Sequence, residues 1–252
     1  MDELPEFSGA MAAIDEGRYD MALDAVLAAF ERIDSGHSSR PRLFFTMFAW
    51  GQLSACYRPA RAALMEARNA QLRRVLDGDD ELALEDERPA QSRAMLVIDM
   101  NQTLGDLQSS YDMFVALHQQ QPELARRIAF VAMPAILEAG DFALAEQLAP
   151  DPMRSLASLN LNAAHLPLLP PERQAPRLAL DLSSFARELR ERAQALRGLG
   201  RAPQADALCQ AALEGLANDE LRRLARLELD DAGAIHRILA EHQERHWRPA
   251  PD

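Results

Sequence analysis

LGDLQSSYDMFVALHQQQPELARRIAFVAMPAILEAGDFALAEQLAPDP, residues 104–152, is the stretch from which the architecture can be read. Gly105-Asp106-Leu107 is followed three residues on by Ser110, and Gly140-Asp141-Phe142 is followed three on by Ala145. The two glycines stand 35 residues apart, and Pro122 closes the first unit. Glycine tolerates the left-handed conformation that ends a helix, so each signature reads as the turn of a helical hairpin. This pattern reports architecture. It does not report chemistry.

Outward from this pair, nearly every segment carries apolar residues at helical spacing, and no convincing two-residue alternation marks a strand. Residues 9–33 read as a hairpin. Met11 and Ile14 end its first helix, Gly17-Arg18-Tyr19 turns the chain, and Ala22, Val26, Ala29, Phe30 and Ile33 stripe the second. Asp20 is placed where the helix macrodipole favours an acid. Pro41 suits the first turn of the next helix, after a polar loop from 34 to 40. Residues 42–57, with Leu43, Phe44, Phe45, Met47, Phe48, Trp50, Leu53 and Tyr57, are apolar almost all round, so this helix is expected to lie centrally and buried. A helix opened by Pro59 follows, with Ala63, Leu64, Ala67, Leu72, Val75 and Leu76 inward.

The run DGDDELALEDE, residues 77–87, holds seven acids and no base. An EF-hand needs acids at alternate positions before its glycine, and this run lacks them. It reads as a solvated loop between helices, or as an electrostatic landing strip for a basic partner. Met95, Leu96, Ile98 and Leu104 face inward from the next helix and Met113, Phe114 and Leu117 from its neighbour; Pro134 falls inside the helix after that, where a kink is expected.

Six of the 15 prolines lie between 150 and 176, interspersed with leucines. That composition predicts an ordered connector with one short helix, and a subdomain boundary. The organisation expected is therefore a helical-repeat array over 1–150, a proline-rich connector over 151–177, and C-terminal helical hairpins over 178–252 packing on the array. In the last part, Leu178, Leu182, Phe185, Leu189 and Leu196 stripe a long helix, Gly200 turns the chain, and Ala205, Leu208, Cys209 and Ala212 follow.

The hairpin turns resemble those of tetratricopeptide repeats, whose period is about 34 residues. In that family a glycine ends the first helix, an aromatic two residues on plugs the gap between hairpins, and a small residue three beyond allows close approach. Gly17, Tyr19 and Ala22 match, as do Gly140, Phe142 and Ala145. Gly105, Leu107 and Ser110 match in part, extended by Phe114, Leu117 and Pro122. Gly200, Ala205 and Ala212 match with Ala202 in the aromatic's place. Only 105 to 140 keeps the period, since 17 to 105 spans 88 residues and 140 to 200 spans 60. The family's Trp and second Gly are missing. The resemblance implies an all-α fold, an irregular tetratricopeptide-like α-α superhelix of stacked hairpins, over about two-thirds of the chain. The layout also resembles bacterial helical-repeat proteins of uncharacterised function.

The 252 residues are 48% hydrophobic and 26% charged, with a net charge of −12. That balance argues against nucleic acid and against an anionic membrane surface, and favours a basic partner or plain solubility. All 27 basic residues are arginine, which reads as genomic bias. Cys56 and Cys209, in apolar helical settings, are expected to be buried reduced thiols. The acidic N-terminus lacks the features of a signal peptide. The apolar run LFFTMFAW, residues 43–50, is far shorter than the roughly 20 residues of a membrane span. A reducing cytoplasm is the expected compartment.

No phosphate loop, dinucleotide fingerprint or nucleophile elbow is present. His236, His242 and His246 cluster near the C-terminus; His242 and His246 are spaced i, i+4, but Gln243 stands where a zincin needs Glu. They read as a solvated terminal helix, the alternative being a metal or pH-sensitive site. Asp79-Asp80 and Asp230-Asp231 are adjacent and so diverge on helices. The resemblance places Ser92, Met95, Asp99, Gln102, Arg127, Phe130, Arg190 and Arg197 on an inner groove, where a helix or extended peptide docks; otherwise they are ordinary surface. The expected function is a non-enzymatic protein–protein interaction module, adaptor or inhibitor, with no cofactor and with a protein or peptide partner, a basic one being favoured by the charge. Two alternatives stand beside it: an immunity-type inhibitor of a basic bacterial toxin, and an enzyme with a spatially assembled hydrolase site.

Overall fold

Gly17, Gly105, Gly140 and Gly200 each end a helix with positive φ, at +72°, +68°, +75° and +74°. At Gly105 the geometry closes the helix twice: its N–H donates to Gln102 O at 3.0 Å, and the Asp106 N–H reaches back to Asn101 O at 2.8 Å. Asp106 then opens the next helix by accepting the Ser109 N–H at 3.1 Å, and Asp141 does the same for Leu144 at 3.2 Å. Each Gly-Asp pair is thus a stop followed by a start.

The computed structural model describes residues 5–84, 90–171 and 174–246, with the side chains of 5, 6 and 246 excepted. Among these residues the fold is all-α apart from one short strand pair. The helices are α1 (Pro5–Asp15), α2 (Tyr19–Asp34), α3 (Arg40–Cys56), α4 (Arg58–Leu76), α5 (Arg93–Leu104), α6 (Leu107–Gln120), α7 (Pro122–Glu138), α8 (Phe142–Leu148), α9 (Pro152–Ala163), α10 (Arg177–Gly198), α11 (Ala202–Glu214), α12 (Asp219–Asp230) and α13 (Ala234–His246). Strands β1 (Glu81–Leu82) and β2 (Gln91–Ser92) pair antiparallel, Glu81 with Ser92 and Leu82 with Gln91. The chain divides into two compact units, 1–135 and 136–252. The division falls inside α7, whose Pro134 is helical, and not at the connector.

In the first unit, α2 packs on α1 and α3, and α4 packs on α3 and α5, with α6 beside α4 and α5. Val26, Phe30, Ile33, Trp50, Leu53, Leu64, Leu96 and Met100 fill the space between them. Trp50 is fully buried, edge-on to Phe30 at 5.3 Å, and its indole N–H donates to Ala60 O at 3.0 Å. A buried indole needs such a partner.

The acidic segment is more deeply built in than a solvated loop. Leu82 and Leu84 enter the core, and Arg93 at the start of α5 lies 1% exposed beneath the strand pair. Its guanidinium donates to Asp34 at 2.9 Å, to Asp79 O at 3.2 Å, to Glu81 O at 3.0 Å and to the Gln71 amide oxygen. Arg74 joins the same carboxylates, 2.7 Å from Asp34 and 2.7 Å from Asp79. Glu85, Asp86 and Glu87 lie outside the described residues.

In the second unit, α10 touches α8, α9, α11, α12 and α13. Leu156, Leu159, Leu182, Phe185, Leu189, Leu221, Leu224 and Ile235 form its core. The proline-rich segment belongs to this unit because its leucines at 156, 159 and 168 are core residues. Glu228, buried, accepts the Gly233 N–H at 2.9 Å, the Ile235 N–H at 2.8 Å and the Ser183 hydroxyl at 3.2 Å, so a carboxylate holds the entrance of α13. Gly198 lies so close to Phe142 that a Cβ there would sit 2.2 Å from the ring. Gly200 faces open space, and only its φ demands glycine.

The two glycines are therefore expected to separate on substitution. Gly198→Ala should cost about 1–3 kcal/mol through overpacking, and Gly200→Ala about 1 kcal/mol through left-handed strain. Urea unfolding of the two variants checks this; a larger loss in Gly200→Ala than in Gly198→Ala contradicts it. Breaking the buried guanidinium network by Arg93→Met should cost about 3 kcal/mol, because the Gln71 amide oxygen and two backbone carbonyls lose their donor and Asp34 is left with Arg74 alone. The same denaturation measurement reads that loss.

Candidate interaction surface

The N-terminus of α5 is set by short polar contacts. The Ser92 hydroxyl donates to Asp80 at 2.9 Å and accepts the Met95 N–H at 3.4 Å, while Asp80 also accepts the Ala94 N–H at 2.9 Å. With Arg93 locked inward, the helix has one rotational setting. Met95 is half-buried and Asp99, Gln102 and Thr103 are exposed along its outer stripe. Four of the expected groove residues, Ser92, Met95, Asp99 and Gln102, therefore lie on a single line down α5.

The others are placed differently. Arg127 is exposed and lies 3.4 Å from Asp80 at the rim of an open hollow of about 580 Å³ lined by Asp79, Asp80, Glu81, Glu123 and Leu124. Phe130, three residues along α7, is 48% exposed. Arg190 and Arg197 belong to the second unit. Arg190 donates to Glu228 O at 2.8 Å, holding the end of α12, and Arg197 pairs with Asp206 at 2.9 Å. Both guanidinium groups are engaged inside their own unit.

Asp99 combines two properties. Its surface is open to solvent, yet protein crowds around it closely enough that desolvation raises its carboxyl above the ordinary aspartate range. Thr103, one turn on, donates its hydroxyl to Asp99 O at 3.0 Å, and its methyl would lie 3.6 Å from a Cβ at Gly51 of α3. The outer faces of α3 and α5 are thereby neighbours. On α3 that outer face carries Phe44, 64% exposed, and Phe48, 46% exposed, with Gln52 following. The expectation that the helix at 42–57 is central and buried on more than one side is thus corrected. Leu43, Thr46, Ala49, Trp50 and Leu53 face the core, and Phe44 and Phe48, at i and i+4 on the opposite side, do not. The sequence signal was present, since eight large apolar residues exceed what one core-facing stripe holds.

Cys56 is likewise exposed, because it falls on the outward side of the last turn of α3; Cys209 is partly buried, and burial pushes its thiol up. Among the histidines, His236 is exposed and the His242 ring nitrogen lies 3.1 Å from Pro170 O; the His246 side chain lies outside the described residues. Among the described residues no three His, Cys, Asp or Glu side chains are grouped to hold a metal. Asp79 and Asp80 diverge, one to Arg74 and the other to Ser92. No protein family, curated protein or solved structure matches this chain.

Glu191 on α10, nearly buried, is the most perturbed carboxyl among the described residues: desolvation raises it to about 7, against the opposing pull of Arg187 at 3.8 Å. Its unfolded value is 4.5, so between that pH and about 7 the unfolded chain releases a proton that the folded chain keeps. The destabilisation is absent below that window and fully present above it. Glu191→Gln removes the titration and should stabilise the chain by about 1–3 kcal/mol above pH 7 and by little near pH 4. Thermal melts of both proteins across this range check it; a gap independent of pH contradicts it.

Proposed function

We propose that this chain is a non-enzymatic protein-interaction module whose hairpins stack as an irregular tetratricopeptide-like superhelix, and that its first unit grips a basic segment of another protein. The observation that carries this reading is the outer stripe of α5, where Met95, Asp99 and Gln102 present an apolar contact, a carboxylate and an amide in one line. The Asp99 carboxylate has no ion-pair partner among the described residues, and the chain as a whole carries a net charge of −12. A cationic side chain arriving there relieves a charge that the fold leaves uncompensated. The Gly-Asp turns at 105 and 140 support the repeat reading, since the same stop-and-start device recurs at the period of that family.

Among the described residues no helix is long and apolar enough to cross a membrane, and the proposed setting is a reducing bacterial cytoplasm. The narrower version, an immunity-type inhibitor of a basic toxin, draws on the same charge. The intact chain used as bait in a lysate of its native host should retain one stoichiometric protein of basic character. Raising salt from about 0.05 to 0.5 M should weaken that complex by about tenfold or more, since exposed charges are screened over that range. A neutral partner with salt-insensitive affinity sinks the basic-partner reading, and the absence of any stoichiometric partner sinks the module reading itself.

A further inference from the structure

The two outward phenylalanines of α3 have no role in the core of the first unit. Phe44 and Phe48 stand one turn apart, about 6 Å along the helix axis, and the Phe48 ring lies 6.3 Å from that of Phe7 on α1. Gly51, on the same side of α3 as Phe44 and Phe48, meets Thr103, and Asp99 and Met95 stand one and two turns before Thr103 on the same side of α5. Exposed apolar rings, with a carboxylate that has no ion-pair partner among the described residues, make a mixed surface, and exposed apolar patches rimmed by polar groups mark contact sites.

Three occupants are conceivable, and charge decides among them. A second copy carries its own charge of −12 and is repelled, as is an anionic membrane. A partner of opposite sign is attracted. The form of that partner follows from backbone accounting. The helices α3 and α5 bond their own backbone groups and offer no sheet edge, so an extended peptide laid across the phenylalanines would bury unpaired N–H and C=O groups. A helix satisfies its backbone internally and presents anchors at i and i+4, with the same spacing as the two rings.

We infer that the face formed by Phe44 and Phe48 of α3 with Met95 and Asp99 of α5 is the docking site for a basic amphipathic helix of a partner protein, its apolar stripe on the phenylalanines and an arginine or lysine on Asp99. This rests on the interaction-module reading and names the partner's chemistry. The crowding that raises the Asp99 carboxyl supports it, because a cation placed there restores the ionised form.

The test uses the full chain and two synthetic helices of about 18 residues, five turns, one patterned with Leu and Arg and one with Leu and Glu, followed by fluorescence anisotropy. The wild-type protein should bind the Leu/Arg helix at least about tenfold more tightly than the Leu/Glu helix, a difference of about 1.4 kcal/mol. Phe48→Asp should lose at least about tenfold, and Phe44→Asp, at the more exposed ring, serves if the first variant fails to fold. Asp99→Arg should reverse the preference towards the Leu/Glu helix. Equal binding of the two helices, or a Leu/Arg affinity unchanged in all variants, overturns the site. So does self-association of the wild-type chain on sedimentation that Phe48→Asp abolishes, which assigns the face to a second copy. If a partner captured from lysate binds Phe48→Asp and Asp99→Arg as it binds wild type, this surface is wrong while the interaction-module reading stands.

Discussion

One buried guanidinium organises the first unit. Arg93 sits at the first position of α5 with almost no solvent access, and its donors are shared among the end of α2 (Asp34), the last turns of α4 (Gln71) and the backbone of the acidic segment (Asp79 and Glu81). A charge removed from water this completely is tolerable only when its donors are met in good geometry. Meeting them requires α2, α4, the strand pair and α5 to stand in one arrangement. Of the acidic segment, Asp79 lends this core arginine a carboxylate at 3.7 Å, and Asp79 and Glu81 lend it backbone carbonyls, the second from within the strand pair.

From that constraint the outer surface follows. With Arg93 inward and Ser92 bonded to Asp80, α5 cannot rotate, and Met95, Asp99 and Gln102 are turned outward by helical geometry alone. A second polar cluster steadies the far end of the helix: Arg68 meets Asn101 and lies 3.0 Å from Asp106, Asn101 donates to the Ser110 hydroxyl at 3.0 Å, and Arg61 donates to Leu104 O at 2.6 Å. The Ser109 hydroxyl and backbone N–H, with Arg68 behind them, hold the Asp106 carboxyl below its usual range. A helix fixed at both ends is a rigid platform, and rigidity lowers the ordering entropy lost on binding.

How much of this was legible beforehand depended on whether the cause was local. Glycine at +68° to +75° and the carboxylate of the aspartate after it act on the backbone beside them, so the hairpin turns could be placed from the residues alone. The apolar stripes of α2 and α10 were readable for the same reason. The strand pair was not, because it exists to satisfy a guanidinium contacted from helices far away in sequence, and two-residue strands have no periodicity to detect. The packing role of Gly198 was hidden because it comes from Phe142, 56 residues earlier. The outward turn of Phe44 and Phe48 was obscured by composition: apolar residues on all sides of a helix read as burial when the count of available neighbours is unknown. The contact of Arg190 with Glu228 O depends on the end of α12, which no local pattern announces.

Hydrogen exchange of the intact protein, with and without saturating Leu/Arg helix, addresses the α3–α5 face most directly. Slowed exchange confined to peptides of 40–56 and 93–104, with 219–230 unchanged, is the predicted footprint. Protection appearing in 219–230 instead, or spread evenly along the chain, would place the contact elsewhere and contradict the assignment of that face.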